Sequence, residues 1–516
     1  MNLLSFSAAT DDFFWSQIMI YGCLGAGIFF SVLMRFPQLR LIKDMVAQLF
    51  GGKASSSGVS SFQGFAMALG GRVGTGNITG VASAIFFGGP GAVFWMWAIA
   101  FLGAGSAYIE SALSQVWKEE VHGEYRGGPA YYIEKGLKSR PLGIAFAILT
   151  VFGCGMALPG IQTNAFAQAA KLSLGMEFWM SGLLYTVLVA YVVFGGGRRI
   201  AKSAERIVPF MAIAYILMAL VILVVHYDRI VGVFELIFSS AFNMSAVYGA
   251  VFGKAVQWGV KRGIFSNEAG QGTGAQASGA AEVSHPAKQG LVQAFSVYVD
   301  TLLVCTATAV MILATNSFNV ADPANQGGFI LQQLQGVQAS NFTQVAVNSL
   351  IPNAGGAFVA VALFFFTFTT VLAYAFYTDS SICYLFKNNA QGPGFNGAVY
   401  FFRLVVVASS FIGAISSVDV VWNFGSAAVG AMAWFNIVVI LMLAKPGIAT
   451  LRDYEEQKRM GLDPVFVPSR CGIKGADIWE SIAAKRYPQQ LAALKAMTEV
   501  GDSVPLTELE EKAENA

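Results

Sequence analysis

A run of glycines cuts through an apolar stretch that is otherwise long enough to cross a bilayer: Gly70-Gly71-Arg72-Val73-Gly74-Thr75-Gly76-Asn77-Ile78-Thr79-Gly80. Five glycines in eleven residues make a poor helix, since each costs about 1 kcal/mol relative to alanine. Inside a membrane the cost rises, because unwound backbone finds no water for its amides and carbonyls. Such a break persists only where it lines a cavity, and its freed groups can then hold a ligand. The stretch therefore reads as a broken transmembrane helix forming the substrate and ion site of a secondary transporter.

The rest of the chain fits a membrane setting. Of 516 residues, 55% are hydrophobic and only 12% charged, against roughly 25% charged in soluble domains. A net charge of +2 gives no reason to expect nucleic acid as a partner. Five cysteines (Cys23, Cys154, Cys305, Cys383 and Cys471) show neither metal-ligand spacing nor a disulfide framework. Asp11 and Asp12 stand where a cleaved signal peptide would carry basic residues.

At about 20 apolar residues per crossing, eleven spans are expected. They fall at 15–34, 62–87, 91–117, 143–170, 178–195, 207–226, 244–281, 289–315, 355–386, 398–416 and 420–443. Lysine and arginine crowd alternate loops: Arg35, Arg40, Lys43 and Lys53; Lys118, Arg126, Lys135, Lys138 and Arg140; Arg198, Arg199, Lys202 and Arg206. The tail adds Lys445, Arg452, Lys458 and Arg459, whereas the opposite loops are nearly bare, with Lys171 after span four. By the positive-inside rule the N-terminus faces out and the C-terminus the cytoplasm of a bacterial or archaeal inner membrane. Segments 229–243 and 326–351 are too polar to span and are expected as short helices over the outer mouth. The charged stretch 446–516 reads as a cytoplasmic extension without a usable motif.

The second and seventh spans look like counterparts. Arg72-Val-Gly-Thr-Gly-Asn77 and Arg262-Gly-Ile-Phe-Ser-Asn267 share their Arg-to-Asn spacing, and the latter continues Glu268-Ala-Gly-Gln-Gly-Thr-Gly274. Five spans separate the two starts, so the copies run in opposite directions. Interrupted spans at matching places in two inverted halves point to a transporter's midplane site. The organisation is then 1–60 (outside segment, first span and loop), a core at 61–445 with repeats of about 61–226 and 244–445, and the tail at 446–516.

Gly74-Thr-Gly-Asn-Ile, Gly88-Gly-Pro-Gly-Ala-Val-Phe-Trp-Met-Trp97, Tyr125-Arg-Gly-Gly-Pro-Ala-Tyr-Tyr132 and Lys261-Arg-Gly-Ile-Phe-Ser-Asn-Glu-Ala-Gly270 resemble the alanine/glycine:cation symporters, the sodium:alanine symporter family. His285-Pro, Gln289-Gly-Leu-Val-Gln293 and Asp300-Thr fit it too, although Gln271-Gly-Thr-Gly-Ala-Gln is looser than the family's usual run. The resemblance covers roughly 15–450. It implies an all-α polytopic fold of eleven helices, ten of them in the 5+5 inverted repeat shared with sodium-coupled neurotransmitter transporters. It also implies that Thr369 and Thr370 complete a sodium shell with Gly70 and Val73.

A small neutral amino acid offers a carboxylate, an ammonium and little else. Backbone N–H groups at Gly74, Thr75, Gly76 and Asn77 start the outer half-helix, where the dipole is positive and suits the carboxylate. Gly263 to Asn267 would supply carbonyls for the ammonium, with apolar walls from Ile264 and Phe265. Gln162 and Asn164, beside Phe166, place polar groups at membrane depth, either in the cavity or as interhelical glue. Sodium, a hard cation, calls for oxygens such as the carbonyls freed around Gly70 to Val73. Thr367, Thr369 and Thr370 lie near mid-membrane, where their bland role is to bond their own helix. No organic cofactor is expected.

Charges within spans cost roughly 2.5–3.5 kcal/mol each and call for partners. For Arg72 and Glu110 the favoured reading is fixed ion pairs that hold the repeats together. Arg262, Glu268 and Asp300 are gate or ion-pair candidates, with Glu268 the strongest. Rival readings are another neutral amino acid such as glutamine, proton coupling through Glu268 or Asp300, a channel, or a membrane-embedded enzyme. Against an enzyme, His122, His226 and His285 lie at span ends or in loops and no catalytic motif accompanies them. Asn77→Ala is expected to abolish uptake of the substrate while the protein still inserts, and normal uptake by a well-inserted variant would remove Asn77 from the site.

Overall fold

The computed structural model describes residues 3–242, 252–325, 327–389 and 393–503. The start of the seventh expected span and the end of the tail lie outside the described residues. Those described are mostly helical, and eight helices are long and apolar enough to cross a membrane. They are Leu3–Leu33, Gly91–Val116, Arg140–Leu174, Gly197–Val225, Pro286–Ala314, Gly355–Leu385, Gly394–Ile415 and Val418–Met442. Gly76–Gly88 and Phe178–Val193 are shorter apolar helices. The chain is a multi-pass membrane protein.

Three details differ from the expected layout. The first span is preceded by a further helix, Leu3–Phe14, joined through Trp15 and Ser16 to Gln17–Leu33. The architecture is not purely helical, since Glu119–Val121 pairs with Glu124–Arg126 and Asn319–Ala321 with Phe329–Gln332 in two short antiparallel hairpins. In each case a polar connector satisfies its backbone locally rather than by helix. Of the two segments expected as short helices, 229–243 holds Ile230–Ala241, while 326–351 contributes a strand before its helix Phe342–Leu350.

Both expected breaks are present. The first broken helix begins at Ser61 behind a capping box, with Gln63 N donating to Ser60 Oγ (3.1 Å) and Ser60 N to Gln63 Oε1 (3.0 Å). It stops at Arg72, leaves the helical path at Val73 and Gly74, and resumes through a π-helical turn, Gly76–Gly80, into Val81–Gly88. The second runs Phe252–Asn267, breaks at Glu268 to Gly272, and resumes as Thr273–Gly279. Gly270 and Gly272 take the left-handed φ values of 80° and 88°. Glycine adopts these without penalty; Glu268, at φ 55°, does not.

The two run antiparallel. Val59 N donates to Ala280 O (3.0 Å) and Glu282 N to Val59 O (2.8 Å), so the start of one sits beside the end of the other. Their breaks touch: a Cβ on Gly76 would lie 3.0 Å from Ser266 Cα. A side chain at Gly76 would push the two broken helices apart.

The tail is far more engaged than its sequence suggests. Helix Ala444–Arg459 and the segment after it wrap the end of the second broken helix. Ser284 Oγ donates to Pro464 O (2.7 Å), Phe466 N to Ser284 O (2.9 Å), and Lys288 pairs with Asp463 (2.5 Å). Further along, Trp479 Nε1 donates to Gln115 O (2.9 Å) and Arg486 to Ser56 Oγ (2.9 Å). At the centre, His285 Nδ1 accepts from Ala287 N (3.1 Å), capping the next helix, while Nε2 donates to Asp453 Oδ2 (3.0 Å). Arg470 Nε reaches Asp453 Oδ1 (2.9 Å).

Burial holds the His285 imidazole below its ordinary value of 6.5, with Asp453 opposing in part. Burial alone would raise the Asp453 carboxyl, but the hydrogen bonds from His285 and Arg470 outweigh it and hold it below its usual range. His285 is thus neutral when folded, and the unfolded chain takes up the proton first as pH falls, so stability declines below about pH 6.5. The Asp453 contribution persists until pH falls through the carboxylate range. Melting in detergent should therefore drop between about pH 7.5 and 5.5. His285→Asn, which keeps a capping acceptor, should flatten that dependence, and Asp453→Ala should cost about 3 kcal/mol.

Candidate functional site

The first break is held open by side chains. Gly74 N donates to Asn77 Oδ1 (2.8 Å), and Thr75 N to Gln162 Oε1 (3.0 Å) from the helix Leu158–Leu174. Both acceptors are neutral oxygens on N–H groups at a positive helix start, where a carboxylate would be held more strongly. Asn77 Nδ2 donates to Asp300 Oδ1 (2.6 Å). Asp300 Oδ2 also accepts from Thr301 Oγ1 (2.7 Å) and from Ser266 Oγ (3.0 Å). One fully buried carboxylate therefore joins the first break, through Asn77, to the second, through Ser266.

One turn earlier, carbonyls converge on a hydroxyl. Thr370 Oγ1 lies 2.9 Å from Gly70 O, 3.2 Å from Val73 O and 2.9 Å from Phe366 O. A hydroxyl has one proton and cannot satisfy three carbonyls at once. Thr369 Oγ1 is 3.1 Å from the same Phe366 O and 3.1 Å from Phe365 O, along its own helix. Oxygens of this kind, neutral and unable to satisfy one another, suit a small hard cation. Thr367 is spent on its own helix, at 2.7 Å from Leu363 O.

Arg72 and Glu110 correct the expectation of fixed ion pairs. Arg72 Nε donates to Asn267 O (2.6 Å) and Nη1 to Gln293 Oε1 (2.9 Å) and Ser296 Oγ. Glu110 Oε2 accepts from Gly272 N (2.9 Å) and Asn436 Nδ2 (2.9 Å), and Asn436 Nδ2 reaches Gly270 O as well (2.9 Å). Both charges thus serve the freed backbone of the second break. The physical reason is that buried peptide groups at the break need donors and acceptors, and these two charged side chains supply them.

The remaining candidates scatter more widely. Gly263 packs closely against helix Gly91–Val116, where an added Cβ would collide with Ile99 Cγ2. Asn164 donates to Gly413 O (2.8 Å) and Ser416 O (3.0 Å), closing the end of helix Pro393–Ile415. Phe166 packs on Tyr185 and Phe364. The Asn267 side chain is occupied by Ala269 N (3.0 Å) and Thr301 Oγ1 (3.3 Å). Ile264 and Phe265 are buried, the latter stacked on Trp422 at 5.6 Å between centroids. The Arg262 guanidinium lies 5.0 Å over Trp258 and 5.0 Å over Trp422. Its neighbour Lys261 pairs instead with Asp11 of the first helix (2.6 Å).

Ser296 and Asn436 join this network and escaped the sequence reading, and Ser266, Gln293 and Thr301 appeared there only within motifs, without the roles they take here. A signal existed: each is a polar residue inside an apolar span, and such residues seldom lie idle in a membrane.

The chain was compared with known proteins. The model of the sodium:alanine symporter family matches residues 2–468. The carrier protein YrbD of Bacillus subtilis is 50% identical over 479 residues, covering 93% of this chain and 98% of its own. The sodium/proton-dependent alanine carrier protein of Bacillus sp. PS3 is 43% identical, over 85% of this chain and 97% of its own. The sodium/alanine symporter AgcS of Methanococcus maripaludis is 35% identical, over 89% and 99% respectively.

A methyl group on Gly74 would meet Thr370 Oγ1 at 2.5 Å and Gln162 Oε1 at 2.8 Å. Gly74→Ala must therefore displace both side chains. It should lower stability by about 1–3 kcal/mol, read as a fall in melting temperature of the inserted protein.

Proposed function

The chain belongs to the sodium:alanine symporter family, and we propose that it carries alanine, glycine or a similarly small neutral amino acid inward together with sodium, by alternating access. It is a transporter and not an enzyme. Eleven crossings, one preceding two inverted repeats of five at about 61–226 and 244–445, make up the fold, as in the sodium-coupled neurotransmitter transporters. The antiparallel contact between the broken helices supports that arrangement. The N-terminus lies outside and the 446–516 tail in the cytoplasm, in keeping with the loop charges.

The observation that carries the reading is the convergence of Gly70 O, Val73 O and Phe366 O on the Thr370 hydroxyl, with Thr369 alongside. These five oxygens would hold the sodium ion. The substrate carboxylate would replace Asn77 Oδ1 and Gln162 Oε1 at Gly74 N and Thr75 N, leaving those side chains to bond it from the flanks. The ammonium would face carbonyls of the second broken helix. The contact of Gly76 with Ser266, and the buried walls at Ile264 and Phe265, support a small side chain.

Coupling is energetically adequate. One sodium ion moving down about 100 mV yields ~2.3 kcal/mol, and a tenfold gradient adds about 1.4 kcal/mol. Together they support roughly 500-fold accumulation of a neutral substrate.

Radiolabelled alanine should accumulate in proteoliposomes under an inward sodium gradient and not when choline replaces sodium. Excess glycine should chase it and leucine should not; uptake of glutamine but not alanine would change the substrate and keep the mechanism. Thr370→Val should raise the sodium concentration for half-maximal uptake about tenfold or more, for a loss of ~1.4 kcal/mol. Unchanged sodium dependence in that variant would remove Thr370 from the ion site.

A further inference from the structure

Glu268 opens the second break and is used by nothing described so far. It is 1% exposed, sits at a left-handed φ of 55°, and both its carboxylate oxygens are sealed from solvent without a hydrogen-bond partner. The hydroxyls nearest it belong to Thr273 and Tyr374. The charged or titratable groups facing it are Arg72 from the first broken helix, Glu110 from Gly91–Val116, Asp300 and Cys154 from their spans, and Tyr374 and Tyr377 from Gly355–Leu385. Arg72, the cation among them, spends Nε on Asn267 O and Nη1 on Gln293 and Ser296, and its Nη2 is buried without a hydrogen-bond partner.

A carboxylate sealed in this way, with neither oxygen hydrogen-bonded, costs more ionised than as the neutral acid. A metal cation would need a cage of oxygens, and four carbonyls in and beside this break already accept hydrogen bonds. Ile264 O accepts from Glu268 N (2.9 Å), Asn267 O from Arg72 (2.6 Å), Glu268 O from Gln271 N (3.0 Å) and Gly270 O from Asn436 (2.9 Å). A proton needs no cage. The neutral acid would donate to the Tyr374 or Thr273 hydroxyl, which accepts readily.

We propose that Glu268 is a proton site: it binds a proton from the external solution as substrate and sodium are enclosed, and releases it to the cytoplasm when the inner half-helix Thr273–Gly279 moves away. This rests on the symport reading above. The step is balanced: an O–H bond forms on the carboxylate with a proton from external water. The same bond breaks to cytoplasmic water, and the carboxylate is restored for the next cycle. Sodium at the threonine and carbonyl site and the proton at Glu268 are then separate passengers.

The test uses proteoliposomes of the full chain loaded with a pH-sensitive dye, under an inward sodium gradient with the membrane potential clamped at zero. Alanine should acidify the lumen with the wild-type protein. Glu268→Gln, a permanently neutral mimic of the protonated acid, should abolish the acidification while sodium-dependent alanine exchange persists, and Glu268→Asp should restore it. Acidification that survives in Glu268→Gln, or sodium-driven uptake by the wild type with no acidification, overturns the proposal and leaves the symporter intact. Absence of any sodium-dependent uptake by the wild type would instead fail the symport reading. Should Glu268→Gln insert but not transport, calorimetry of alanine binding to the wild type in two buffers of different ionisation enthalpy decides. Proton uptake on binding that disappears in Glu268→Gln upholds the site, and binding without proton uptake in the wild type overturns it.

Discussion

A peptide group released from a helix inside a bilayer must be met by protein, and that obligation organises the centre of this molecule. Two helices are broken at the same depth, and the residues that look like functional charges are first of all the partners of the exposed backbone. Arg72 meets Asn267 O, Glu110 meets Gly272 N, and Asn77 and Gln162 meet Gly74 N and Thr75 N. Without them neither break would be tolerable in a membrane.

These partners are exchanged between the two breaks rather than kept within one. Arg72 belongs to the first break and serves the second. Asn77 and Ser266, one from each, share the carboxylate of Asp300. A ligand that alters the geometry at Gly74 to Asn77 therefore changes the hydrogen bonding of the second broken helix directly. Thr370 extends the same logic to a third element, because its hydroxyl binds the carbonyls on which the first half-helix ends. Packed cores and hydrogen-bonded networks of this sort have few alternative arrangements, which is the physical basis on which binding at one place biases structure at another.

Much of this was legible in the residues. Glycine clusters in apolar runs announced both breaks. Of the threonines in Phe364-Phe-Phe-Thr-Phe-Thr-Thr370, Thr370 bonds carbonyls of the first broken helix. What was not legible depends on which way a side chain faces. Gly263 was read for its carbonyl, with no sign that its missing side chain lets its helix approach Ile99. Asn164 looked like a ligand and ties off a neighbouring helix. Arg72 and Glu110 were expected in fixed ion pairs, because sequence displays charges and hides the backbone groups that compete for them. The tail was the largest omission: polar, without periodicity of note, it gave no sign that Asp453 would meet a buried histidine.

That tail has a consequence for the order in which the molecule is built. The tail groups that fasten the segment following the second broken helix, Asp453, Asp463, Pro464 and Phe466, are translated after all the spans. During synthesis the start of the first broken helix and the end of the second are therefore made before these fastenings exist, held to each other and to Gln115 and Lys118. The latch is made after both breaks, and a chain cut short before it keeps its spans and lacks the fastening.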